Sequence, residues 1–328
     1  MERSPVSASR PWHAWEVPYV GIRTRFESNA EQVIALARNA LGPWREGAGP
    51  PDAGREPLVV RIEVEEDGAA PGPSGRAPLQ YQVDGHRLTI SGPGVHAVAE
   101  FETRRAHARV SSHVVDDAEH FRYGVLEGLA LFVISRLDRQ PLHAAAVERD
   151  GTVILLVGPA GVGKSTLTYA ALRAGFRVFA EDIVWLQLSP EMRVWGLASR
   201  IHLPADAGRT FPELAGRSPV LVAAGESKLV VPIAGHERPG ASHARSATVC
   251  LVERWDGAAA GLRRLEPGVV RRQLAPSEPG FGVFADTIGP ALDALAAPGG
   301  WQLTLSSQPA EAIPLLDRIV AAGGTRRA

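Results

Sequence analysis

Apolar residues recur at Val33, Leu36, Ala37 and Ala40 within Asn29–Leu41, the spacing of one helical face, and Gly42-Pro43 closes that run. Strand patterns follow at Leu58–Val64, Leu79–Val83, Arg87–Ser91, Val95–Glu102 and Arg109–Val115, with Asp84-Gly85 as a hairpin turn. The Pro/Gly-rich stretches Gly42–Pro57 and Gly68–Pro78 predict exposed loops on either side of the first of these strands. A longer helix is predicted from Ala118 to Leu137, capped by Asp116 or Asp117, with Phe121, Val125, Leu129 and Phe132 on one face. Residues 1–138 therefore read as a smaller α+β N-terminal domain that shows no catalytic signature and is a candidate for substrate recognition.

The pattern changes near Gln140. Leu142–Glu148 and Thr152–Val157 predict a hairpin across Arg149-Asp150-Gly151, and the second strand is continuously apolar, as a strand covered on both faces must be. A helix to about Ala174 follows, with Gly175 placed to end it, and Phe176–Ala180 is the next strand. Further strands are predicted at Ile183–Leu188, Val194–Leu197, Lys228–Ile233 and Thr248–Glu253. The chain then reads helix (Pro290–Ala297), strand (Trp301–Ser306), helix (Pro309–Ala322) and a frayed polar tail, Gly323–Ala328. Residues 139–328 are thus an α/β domain.

Between the apolar strand and the following helix lies Gly158-Pro159-Ala160-Gly161-Val162-Gly163-Lys164-Ser165-Thr166, the Gly-x4-Gly-Lys-Ser pattern of a phosphate-binding P-loop in its confirming strand–loop–helix context. The glycines let successive backbone N–H groups converge on one concavity, and the helix N-terminus adds a dipole favourable to phosphate. Lys164 supplies a point charge to the β- and γ-phosphates, and the Ser165 hydroxyl reaches Mg²⁺, so the expected ligand is a nucleoside triphosphate as its magnesium complex. Glu181-Asp182 follows the strand ending at Ala180, which is expected to neighbour the P-loop strand. A carboxylate there faces the phosphates, where it either ligates Mg²⁺ or takes the proton of an attacking hydroxyl. His143, on the strand before the P-loop strand, is placed either beside the phosphate loop or in the core. Arg200 and His202 are weaker candidates.

Composition changes this picture in few respects. A net charge of −1 gives no electrostatic reason to expect nucleic acid or an anionic membrane as partner. The lone cysteine, Cys250, sits in an apolar run and reads as a buried thiol in a reducing, cytoplasmic setting. The first fifteen residues lack an apolar core of signal-peptide type, and the longest apolar stretch, near Leu129–Ile134, is too short for a bilayer. Only two of the 35 basic residues are lysines, Lys164 and Lys228. Where Arg serves nearly everywhere, a retained Lys marks a place that needs a compact ammonium, which makes Lys228 a second candidate for the site.

The order "LHAAAV" with His143, "GPAGVGKST", then "RAGFRVFAED" with its acidic pair resembles the HPr kinase/phosphorylase family, bacterial serine kinases related in fold to phosphoenolpyruvate carboxykinase. The resemblance covers roughly Pro141–Leu188. It implies that His143 and Glu181-Asp182 flank the γ-phosphate of MgATP, and that Asp182 is the general base towards a serine of a peptide or protein substrate. "VWGLASRIHLP" and "ESKLVVPI" are similar to segments of the shorter HPr kinase-related proteins, which brings in Lys228. The chain departs from the family at Glu181, where an Asp stands in the pattern, and in lacking the Glu-Ile-Arg-Gly-Leu-Gly signature, since Val194-Trp195-Gly196-Leu197 has no carboxylate. A one-way kinase is therefore expected. A kinase of a small-molecule hydroxyl, and a nucleotide-controlled binding module without phosphoryl transfer, stand as alternatives.

Overall fold

The computed structural model describes residues 11–45, 56–66, 78–221, 226–233, 240–255, 257, 259–274 and 285–324. Most of the two loops expected at Gly42–Pro57 and Gly68–Pro78, and the end of the tail Gly323–Ala328, lie outside them. The chain is mixed α/β and divides into two compact units, the first reaching Ile134 and the second beginning at Ser135.

The first unit is built on one seven-stranded sheet. Its strands are β1 (His13–Tyr19), β2 (Ile22–Ser28), β3 (Leu58–Glu65), β4 (Gln80–Asp84), β5 (Arg87–Gly92), β6 (Val95–Glu100) and β7 (Arg105–Ser111), in the order β1-β2-β3-β7-β6-β5-β4. Burial alternates along β2, β3 and β7, so one face is apolar and the other carries exposed pairs such as Arg25–Glu27 at 2.8 Å and Arg109–Glu63 at 3.6 Å. Helix α1 (Glu31–Leu41) buries Val33, Ile34, Ala37, Ala40 and Leu41, so Ile34 takes the place expected for Leu36.

Two elements depart from the sequence expectation here. β1 and β2 do not stand out as strands in the sequence, because β1 carries Glu16 and Pro18 and the apolar positions of β2 are masked by Arg23, Arg25 and Glu27. The long helix predicted for Ala118–Leu137 is instead α2 (Ser112–Asp116), α3 (Ala118–Phe121), a π-helical turn Arg122–Glu127, and α4 (Gly128–Arg136). Asp117 caps α3 by accepting from the His120 N–H at 3.2 Å, as a capping Asp should. Gly124, inside the π turn, lies so close to Leu79 that a Cβ there would meet Leu79 Cδ1 at 2.6 Å. Phe121, Val125, Leu129 and Phe132 are all buried.

The second unit holds three sheets. The largest contains β9 (Ala145–Arg149), β10 (Thr152–Val157), β11 (Arg177–Ala180), β18 (Thr248–Arg254), β19 (Gly261–Leu265) and β20 (Gly300–Leu305), in the order β11-β9-β10-β18-β20-β19. β10, β18 and β20 run parallel, and the flanking pairs are antiparallel. Helices α5 (Lys164–Arg173) and α8 (Ile313–Gly324) bury Leu167, Ala171, Leu316 and Ile319 with Ile154, Leu156 and Val252 on one face. Helices α6 (Pro267–Gln273) and α7 (Ala285–Ala296) cover Leu155, Val157 and Val249 on the other. α7 starts five residues before Pro290, which it accommodates within the helix. Cys250 is fully buried between these layers, and burial pushes its thiol up to about 12.

The second sheet, β17-β13-β12-β8, joins β17 (Gly240–Ala244), β13 (Arg193–Ala198), β12 (Ile183–Gln187) and β8 (Gln140–His143), all antiparallel. The third, β14-β16-β15, joins β14 (Arg200–Pro204), β16 (Ser227–Pro232) and β15 (Val220–Leu221), and packs Ile201, Leu203 and Leu229 against Tyr169, Ala170 and Leu172 of α5.

The expected hairpin from Leu142 is interrupted at Ala144, where the chain passes from one sheet to another: β8 pairs with β12, while β9 pairs with β10 and β11. One further placement is corrected. The strand carrying the acidic pair does not adjoin the P-loop strand, because β9, the other arm of the tight hairpin, fills that slot between β11 and β10.

Candidate active site around the phosphate loop

The site forms at a crease. β8 and β9 are one length of chain bent at Ala144, and β11 and β12 are a second length bent at Glu181-Asp182. The two pair antiparallel on both sides of the bend, and the Ala144 N–H donates to the Asp182 carbonyl across it at 2.9 Å. The register Ala145↔Leu156 brings that crease level with the end of β10, where the loop Gly158–Gly163 begins. His143, Gly158 and Pro159 accordingly line one cavity of about 600 Å³, whose floor includes Leu251, Leu265 and Ile288.

The loop is shaped by positive-φ glycines, Gly161 at +79° and Gly163 at +114°, the second serving as N-cap of α5. Gly158 is required for another reason: a Cβ there would stand 2.6 Å from the Val252 carbonyl oxygen on β18. The first turn of α5 has neither a capping side chain nor an acidic residue, which leaves its N–H groups for an anion. The Lys164 side chain is buried and its ammonium donates to the carbonyls of Gly158 at 2.6 Å and Pro159 at 3.2 Å, spanning the concavity.

The acidic pair diverges. Glu181 turns to the helix: Ser165 Oγ lies 3.4 Å from its Oε1. The same carboxylate is held from the other side by His202, whose backbone N–H donates to Oε1 at 3.1 Å and whose Nδ1 lies 3.1 Å from Oε2. Asp182 turns to the crease, its Oδ1 3.3 Å from His143 Nδ1. Loss of hydration raises the Asp182 carboxyl above the usual carboxylate range. His143 works against that rise, the Glu181 charge adds to it, and Lys164 and Lys228 oppose it.

Lys228, on the central strand of the third sheet, is thus close enough to bear on Asp182, although its Nζ is also paired with Glu226 Oε2 at 3.0 Å. Of the residues singled out in the sequence, Ser165 meets Glu181 and His143 meets Asp182, while Lys164 and Lys228 act on Asp182 through their charge. His202 carries more of the site than its sequence context indicated. The alternation Arg200-Ile201-His202-Leu203 marks a strand with one polar face, but nothing in it points to Glu181, twenty-one residues away.

No family model matches the chain. HPr kinase/phosphorylases of two Limosilactobacillus reuteri strains are each 32% identical to it over 78 residues, 24% of this chain and 24% of theirs. The chain is HPr kinase-like over that stretch. It matches about a quarter of the length of these curated relatives. The HPr(Ser) kinase/phosphatase of Coxiella burnetii is matched at 13% identity and a TM-score of 0.30, over 57% of this chain and 97% of that one. Among the described residues, no group of three His, Cys, Asp or Glu side chains converges as a metal cage, and no helix is long and apolar enough to cross a membrane. The oxygen set Ser165, Glu181 and Asp182 nonetheless suits Mg²⁺, which takes one or two carboxylates and fills its remaining positions with phosphate oxygens and water.

Proposed function

We propose that this protein is an ATP-dependent kinase that transfers the γ-phosphoryl group of MgATP to a hydroxyl, taken to be a serine of a peptide or protein. One observation carries the reading: the two carboxylates after β11 part company, Glu181 reaching Ser165 at 3.4 Å and Asp182 reaching His143 at 3.3 Å. That separation supplies two roles from one dipeptide. Ser165 and Glu181 would hold Mg²⁺, which when bound neutralises charge on the β- and γ-phosphates. Lys164 and the N–H groups opening α5 orient the triphosphate. Asp182 accepts the proton of the acceptor hydroxyl as its oxygen bonds to the γ-phosphorus and the bond to the β-phosphate bridging oxygen breaks, releasing ADP. A carboxyl raised above its ordinary range is a better proton acceptor in that step, and His143 keeps it oriented and ionised. Cytoplasmic action on a protein acceptor is part of this proposal, and the likeness to HPr kinase/phosphorylases over 78 residues supports it.

The test is incubation with γ-labelled ATP and serine-containing peptides, read by mass spectrometry, with Lys164→Ala as the control. Transfer that survives undiminished in that variant would sink the reading. The 600 Å³ cavity beside His143 favours a second one, a kinase of a small-molecule hydroxyl, because its volume is that of a small-ligand site. Label entering small polyols or amino alcohols, and not peptides, selects it.

A further inference from the structure

Arg254, the last residue of β18, ends beside the phosphate loop. A Cβ placed on Gly163 would stand 2.9 Å from Arg254 Nη2 and 3.6 Å from Cζ, so the guanidinium packs directly over the glycine that opens α5. Strand alternation puts it there. Val252 faces the α5 side of the sheet, sharing a core with Leu167 and Leu305, and Arg254, two residues on, is on the same side. Glu253 accepts from the Thr304 hydroxyl at 2.8 Å and is not paired with Arg254. No hydrogen bond or ion pair holds the Arg254 head among the described residues.

Arg254 is exposed, so water solvates its guanidinium, but the charge around it is of one sign. The positive end of the α5 dipole and the Lys164 ammonium are already there, and the first turn of the helix carries no carboxylate. A guanidinium added to that neighbourhood is stabilised when a polyanion lies between the three. The order of the sheet then gives the polyanion a direction. The acidic pair follows β11, on one side of β10, and Arg254 ends β18, on the other.

Resting on the kinase reading above, we infer that Arg254 is the second cation of the phosphate site. It binds the α- and β-phosphates of a nucleoside triphosphate whose γ-phosphate lies towards Ser165, Glu181 and Asp182, and whose nucleoside lies over the carboxyl ends of β18 and β20. Arg suits this role because its planar fork grips two phosphate oxygens at once.

The experiment is calorimetric titration of the full chain, in Mg²⁺, with a non-hydrolysable ATP analogue, with inorganic tripolyphosphate and with adenosine. Arg254→Ala is expected to weaken the analogue and tripolyphosphate tenfold or more, and to leave the affinity for adenosine as it was. Arg254→Lys should recover part of the loss, and millimolar guanidinium ion should restore part of the binding to the alanine variant. A structural role would instead lower the melting temperature and would not respond to guanidinium. If Arg254→Ala proves unstable, Arg254→Gln gives the same comparison with the stem of the side chain retained. Wild-type affinity for both polyphosphates in these variants overturns the inference and leaves the kinase reading standing. A wild-type chain that binds neither polyphosphate overturns both.

Discussion

Replacing Gly158 with Ala is the sharpest test of how the loop is built. The new methyl carbon would stand 2.6 Å from the carbonyl oxygen of Val252, and 3.2 Å from a Val162 methyl group. Real Cβ contacts scarcely fall below 3.0 Å, so the loop and β18 must separate by at least 0.4 Å, the difference between 3.0 and 2.6. The Val252 carbonyl cannot swing aside as a side chain would, since β18 is paired with β10 on one side and β20 on the other. The displacement therefore falls on the start of the phosphate loop, and with it on the Lys164 ammonium that the Gly158 carbonyl holds at 2.6 Å. Overpacking at a site that cannot relax costs about 1–3 kcal/mol. A shift approaching an ångström in a positioning group can cost on the order of a hundredfold in rate. Gly158→Ala should thus melt several degrees below the wild type, and should bind MgATP at least tenfold more weakly in a fluorescence titration. Melting and nucleotide affinity both at wild-type values would refute the reasoning, because the close approach would then not exist in the molecule.

Asp182→Asn should lower kcat by about two to four orders of magnitude, the range of general-base catalysis, with a far smaller effect on nucleotide affinity; activity within about tenfold of wild type would remove Asp182 as the base. The rate should fall as pH drops through the raised Asp182 ionisation, since the base works only as carboxylate, and the acid limb should lie above the ordinary carboxylate range. Removing His143, which favours the carboxylate, should move that limb to higher pH, and Glu181→Gln, which removes a like charge, should move it lower; opposite signs in a pH–rate profile would contradict the assignment. Lys228→Arg should reduce kcat about tenfold or more with little change in melting temperature, because a longer, forked cation misplaces charge near the transferring group. Full activity would make Lys228 an ordinary partner of Glu226.

The phosphate loop was legible because Gly158, Gly163, Lys164 and Ser165 fall within one strand–loop–helix unit; the positive φ of Gly163 is a local demand, whereas that on Gly158 comes from Val252 on β18. The apolar face of the helix after Asp117 was legible too, Phe121, Val125, Leu129 and Phe132 all being buried. Its continuity was not, since π-helical pitch and the tight approach of Gly124 to Leu79 depend on what packs against the helix. β15, β17 and β19, and helix α6, had no periodic signal strong enough to stand out: β15 is two residues long, and β19 reads Gly-Leu-Arg-Arg-Leu. Arg254 escaped, and His202 stood only as a weaker candidate, for a further reason. A chain with 33 arginines gives each one little individual weight, and only pairing across sheets brings these two side chains to the loop.

The bent double strand explains why one dipeptide can serve two purposes. In a straight strand, neighbouring side chains point to opposite faces, and one of two adjacent carboxylates would be lost into the core or away from the cleft. Here the chain leaves β11 and joins β12 in a different sheet, so the residues at the bend belong to neither ladder's alternation. Glu181 is then free to be fixed by Ser165 and His202, and Asp182 by His143. The Glu181 carboxylate stands 3.4 Å from the Ser165 hydroxyl, and Glu has one more methylene than Asp with which to reach it. Shortening it should break that contact. On this geometry Glu181→Asp loses the link to Ser165 while keeping the charge, so its cost should appear in the Mg²⁺ dependence of the rate and leave the acid limb set by Asp182 in place.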